Sequence, residues 1–253
     1  MLKLFFAYLI LLFACCSCAR HSLYVPTITN TPNFDGTNKY QANAALSFDH
    51  IEVQTAANPI KGLGLMHSIY YSDKGRNVDL AVGYTYYHTN CRLGFDVFGG
   101  YGTGDRKYEA KTKPESDKYY TIYDIDNSFR KYFGQLTLFK SIKSNHQLGF
   151  TFRGSYIDYK WFKYNIHTTT FDNYYGPQSK TYQMINDNLT VFTTDVLLTY
   201  KFRYHFIGIF LQPGIHYDNG PKDTERNLYY AQPSIFYLNS GLNFYFDKHQ
   251  RKD

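Results

Sequence analysis

Near its C-terminus the chain reads as two interleaved series. Phe236, Leu238, Leu242, Phe244 and Phe246 alternate with Tyr237, Asn239, Gly241, Asn243 and Tyr245. Successive side chains on a strand point to opposite faces, so a period of two marks a strand with one apolar face. The same period runs through Phe192, Val196, Leu198 and Phe202, with Thr193, Asp195, Thr199 and Lys201 between them. It recurs at Leu148, Phe150 and Phe152, at Val78 to Tyr86, and at Leu93 to Phe98. No helical period competes, which restricts the chain to an all-β fold.

A soluble sandwich alternates too, so the sign of the alternation has to be argued. Ten strands are expected at 40–48, 51–58, 62–71, 77–88, 92–108, 129–142, 146–160, 189–203, 206–217 and 231–246, with eight as the alternative count. Most are longer than the ~5–6 residues usual in globular proteins and match the ~9–11 that cross a bilayer at a tilt. One face carries Phe, Tyr and Leu; the other carries Gly, Asn, Gln, Asp and Arg, as the lumen of a membrane barrel does. The 27 Tyr and 21 Phe in 253 residues suit strands and membrane-interface belts better than helices. The expected fold is an antiparallel up-and-down transmembrane β-barrel.

Connections at 59–61, 89–91, 143–145 and 204–205 are short, whereas 109–128, 161–188 and 218–230 read as long loops. With ten antiparallel strands all the long ones fall on one side. Outer-membrane barrels place long loops outside and short turns in the periplasm, so both termini are expected in the periplasm.

The N-terminus adds an address. Lys3 precedes an apolar run from Leu4 to Ala14, the size of a signal-peptide core and too short to span a bilayer as a helix. Leu12-Phe13-Ala14-Cys15 resembles a lipobox, with Cys15 the first candidate for lipidation and Cys18, behind Ser17, the second. The expected organisation is a lipoprotein signal peptide over 1–18, a periplasmic segment over 19–39, the barrel over 40–246 and a charged periplasmic tail over 247–253. The fourth cysteine, Cys91, stands apart from the leader, so no disulfide framework is expected.

Tyr24-Val25-Pro26, Asn30-Thr31-Pro32 and Gln41-Ala42-Asn43-Ala44-Ala45, with Phe98 to Gly102 and Gln232 to Phe236 further on, resemble an outer-membrane β-barrel lipoprotein family of the Bacteroidota. The resemblance implies export, lipidation and a barrel, and implies no chemistry. The charged residues after Phe246 depart from barrels that end on a terminal aromatic.

Catalytic and metal signatures are weak. The nine histidines form no H-x-x-x-H pair, and the glycines from Gly99 to Gly104 lie in strand alternation with no lysine to complete a phosphate cradle. His67 and Ser68 are neighbours on a strand and point apart, while His216 on the lumen face has no marked serine. No cofactor or metal is expected. The net charge of +6 is spread along the chain, which argues against nucleic acid as a partner.

The expected lumen face carries Glu52, Asp79, Asp96, Asp195, Arg153 and Lys201. A ten-stranded barrel is barely wider than one that side chains fill, so these charges are expected to pair and plug it around Arg153. A narrow channel is the alternative, and a lipid-modifying barrel enzyme the second. Trp161, Tyr174 and Tyr175 lie in the longest expected loop, either as a binding surface or on strand extensions above the membrane. The expected role is structural or binding and non-enzymatic, with outer-membrane lipid and another outer-membrane or surface protein as partners.

Overall fold

The computed structural model describes residues 29–34, 39–46, 50–112, 119–143, 145–172, 176–186, 189–218, 222–223, 228–229 and 235–246. Its strands are β1 (Tyr40–Leu46), β2 (His50–Ala57), β3 (Leu63–Ser72), β4 (Gly75–His88), β5 (Leu93–Thr112), β6 (Tyr119–Lys143), β7 (His146–Asp172), β8 (Gly176–Asn186), β9 (Leu189–Tyr204), β10 (Ile207–Asp218), β11 (Lys222–Asp223), β12 (Leu228–Tyr229) and β13 (Ile235–Tyr245). Ten of them close into one antiparallel ring. The ladder runs β6-β5-β4-β3-β2-β1-β13-β10-β9-β7, and β6 pairs with β7 to complete it. The two-stranded β11–β12 ladder stands apart.

The sign of the alternation is now fixed. Among the described residues, 29 polar or charged residues are buried against 15 apolar ones, the reverse of a soluble core. On β4, Asp79 is 4% exposed and its neighbour Leu80 57%. The apolar residues therefore face outward, the arrangement a barrel takes when its solvent is hydrocarbon.

That outer surface is banded. Tyr71, Tyr132, Tyr156, Phe192 and Tyr217 lie toward the end where strands lead into the longer connections; Tyr40, Tyr84, Tyr86, Tyr204, Phe206 and Phe246 lie toward the short turns. Val53, Leu65, Leu80, Val82, Leu136 and Leu198 are among the exposed side chains between them. Two aromatic girdles flanking an aliphatic band are what a bilayer selects. Along β10, Tyr217 and Phe206 stand eleven residues apart, close to the ~9–11 needed to cross.

Beyond the Tyr71–Tyr217 girdle the structure corrects the sequence reading. Residues 109–128 and 161–188, expected as loops, are largely strand: β5 pairs with β6 as far as Thr112 and Thr121, β6 with β7 as far as Tyr119 and Thr170, and β7 with β8 as far as Asp172 and Gly176. At ~3.3 Å per residue, the 25 residues of β6 and 27 of β7 reach far past a ~30 Å hydrocarbon layer. A four-stranded blade therefore rises from the rim. Lys160 marks its base: Ser128 pairs with Trp161 and Phe129 with Tyr159, so Lys160 is the extra residue of a bulge. There β7 exchanges its neighbour, from β9 (last pair Tyr159 and Leu189) to β8 (first pair Phe162 and Asn186).

Candidate functional site: a filled lumen

The lumen carries buried polar groups in two layers. The upper layer centres on Asp79. Its carboxylate accepts from Lys131 Nζ at 2.7 Å and from Arg153 Nη2 at 3.0 Å, with all three side chains at most 5% exposed. Lys131 and Asp79 sit on β6 and β4, with β5 between them, and Gly102 is the residue in register with both. A Cβ at 102 would run into the Asp79 carboxylate and come within 3.0 Å of the lysine chain, so only glycine leaves the two a path. Arg153 also lies 3.8 Å from the Phe133 ring centroid, a cation–π contact. Asp195 is the cross-strand partner of both Arg153 and His216, and its carboxylate lies 2.6 Å from His216 Nδ1.

The lower layer is the chain itself. Residues 29–34, grouped in the sequence with a periplasmic segment over 19–39, lie inside the barrel. The wall holds them chiefly through their main chain. Gln212 donates to Thr29 O at 3.0 Å, Gln135 donates to Asn30 O at 2.8 Å, and Lys201 donates to the carbonyls of Thr31 and Pro32. The Asn33 N–H donates to Asp96 at 3.1 Å. Phe34, 1% exposed, packs with Ala56, Met66 and Phe98. The segment thus crosses from the β9–β10 wall to the β2–β5 wall. A cavity of about 10 Å³, bordered by Asn30, Asp79, Gln135 and Arg153, lies between the layers and has room for about one water.

All six charged residues expected in the lumen are at most 7% exposed. Asp79 joins Arg153, Asp195 joins His216, Lys201 and Asp96 hold residues 29–34, and Glu52 accepts from Gln54 Nε2 at 2.9 Å. The Asp79 carboxylate takes two cations, Lys131 and Arg153. Lys131 was missed, although it shares strand parity with Gln135, which alternation places inward. Trp161 is on β7, across from Ser128. Tyr174, Tyr175, Cys15, Cys18 and the tail over 247–253 lie outside the described residues. Among the described residues no group of three or more His, Cys, Asp or Glu is placed to hold a metal.

Ten hydrogen-bonded strands, a polar interior and two aromatic girdles leave one architecture. It is that of an outer-membrane β-barrel. No family model and no curated protein matches the chain. Among solved structures it is similar to the TodX monoaromatic hydrocarbon channel in a deltaS2 mutant, at TM-score 0.32 and 7% identity over 83% of this chain and 88% of that one. It is also similar to OmpT, an outer membrane protein of Vibrio cholerae, at TM-score 0.20 and 9% identity over 83% and 95%. Those scores are low, and the barrel is established by its own closed ladder.

Proposed function

We propose that the chain is a non-enzymatic outer-membrane lipoprotein, closed to solutes, that acts as a binding or structural component through the blade of β5 to β8. The observation that carries this is the pairing of a lumen filled at two levels with strands far longer than a membrane requires. A barrel that served only as a pore needs an open interior and no blade. Here the interior is occupied and the extra length is spent outside. Among the described residues β8 pairs only with β7, and its other edge is offered for strand addition by a partner. The second reading is a narrow channel; it is favoured by residues 29–34 being an N-terminal segment, not part of the wall.

Two measurements test the anchoring and the orientation. Intact mass of the mature protein is expected to show a diacyl or triacyl addition on an N-terminal cysteine, Cys15 before Cys18; an unmodified N-terminus elsewhere defeats lipidation. An epitope inserted beside Pro177, at the start of β8, is expected to bind antibody on whole cells, and one after Asp253 is not. Reversed labelling would place the blade in the periplasm and remove the proposed binding role.

A further inference from the structure

The topology collects charge at one rim. The four short turns read Asn58-Pro59-Ile60-Lys61-Gly62, Thr89-Asn90-Cys91-Arg92, Ser144-Asn145 and His205-Phe206, and none contains an acid. Lys39, just before β1, is exposed, as are Lys61 and Arg92. The opposite rim is mixed: there Arg76 pairs with Asp105 at 2.6 Å and Lys107 with Asp126 at 3.7 Å.

Above Lys39 and Lys61 the outer wall is dented. A groove of about 880 Å³ runs across β1 to β5. Ala42, Ala57 and Gly99 lie along it, and Tyr40 and Phe246 border it at the basic rim. At Gly99 an added Cβ would meet no atom within 4 Å, so the groove is open at that point. The turn carrying Lys61 is tied to Lys39 by Asn58 N–H donating to the Lys39 carbonyl at 2.7 Å, and Tyr40 and Ala57, which flank this tie, line the groove.

We infer that this groove binds one anionic phospholipid, an acyl chain lying along Ala42, Ala57 and Gly99 and the phosphate against Lys39 and Lys61. The inference rests on the membrane reading above. The groove lies within the apolar band, so its occupant comes from the hydrocarbon; the acid-free short turns beside it favour a negative headgroup. His67 and Thr55, which also line the groove, offer hydrogen bonds within it.

The test inserts the full chain into vesicles of equal phosphatidylglycerol and phosphatidylcholine, extracts it gently, and identifies retained lipid by native mass spectrometry. Wild type is expected to carry one phosphatidylglycerol in preference to phosphatidylcholine. Each rim lysine contributes about five-fold to that preference, the effect of a basic residue at an anionic surface. Lys39→Gln with Lys61→Gln is expected to keep a lipid but lose most of the discrimination. Gly99→Leu, whose Cβ meets no atom within 4 Å, projects a side chain into the groove and is expected to lose the lipid while keeping the β-sheet circular dichroism of wild type. Equal retention of the two lipids by wild type, or full occupancy in Gly99→Leu, overturns the site. An apolar polypeptide retained instead, and displaced by Gly99→Leu, gives the groove to a protein and overturns it too. If wild type does not enter the vesicles, the membrane reading itself fails, a distinguishable result.

Discussion

Asp79→Ala is expected to destabilise the barrel by about 3–5 kcal/mol, the cost of removing one partner from a buried ion pair. The substitution leaves Lys131 and Arg153 facing each other across the space the carboxylate filled, two cations with their shared counter-charge gone. Arg153→Ala is expected to cost less, because Asp79 keeps Lys131 as its counter-charge. The ordering Asp79 > Arg153 is the discriminating result, read from urea unfolding midpoints of the vesicle-inserted protein. An equal or reversed ordering would make Arg153 the group on which the cluster depends. Arg76→Ala, at an exposed pair, serves as the control with no measurable change expected.

The second large effect is on conductance, and it is expected to be non-additive. On the reading of a closed lumen, the Asp79 cluster and residues 29–34 act in series, and either one alone is expected to block it. Planar bilayers holding wild type are expected to show little or no steady conductance. Deleting residues 29–34, or replacing Arg153 by alanine, is expected to leave the conductance near the wild-type level. Combining the two is expected to produce discrete, reproducible openings. Large stable steps in wild type would instead establish a wet channel and the second reading. Openings in the deletion alone would show that the cluster does not seal.

These two experiments also separate what strand parity can and cannot reveal. Parity alone placed Glu52, Asp79, Asp96, Arg153, Asp195 and Lys201 on the inner face, because in a barrel each residue's side follows from its neighbour's. It would have placed Lys131 there as well. Which of these groups meet was not legible. Asp79 and Lys131 are 52 residues apart, and their contact depends on register across three strands and on the missing side chain at Gly102. The inward path of residues 29–34 left no mark either: Pro32 breaks alternation and nothing in the pattern names the wall that receives the segment. The blade was hidden for a different reason. Residues 113–118 mix lysine and acid, which reads as a loop, while the hydrogen-bond ladder continues on both sides of them.

The order in which this molecule can be assembled follows from its seam. The ring closes between its first and last strands, and β1 meets β13 through only four residue pairs, Gln41–Tyr245 to Ala44–Leu242, against twenty-four between β6 and β7. Residues 29–34 lie immediately upstream of that seam and inside the ring it completes. If the seam zips before they enter, they have to thread the mouth at the short turns; if they dock first, on Gln135, Lys201 and Gln212 of an open sheet, closure traps them. The second route requires no threading, and it makes the shortest ladder among the described strands of the wall the last to form.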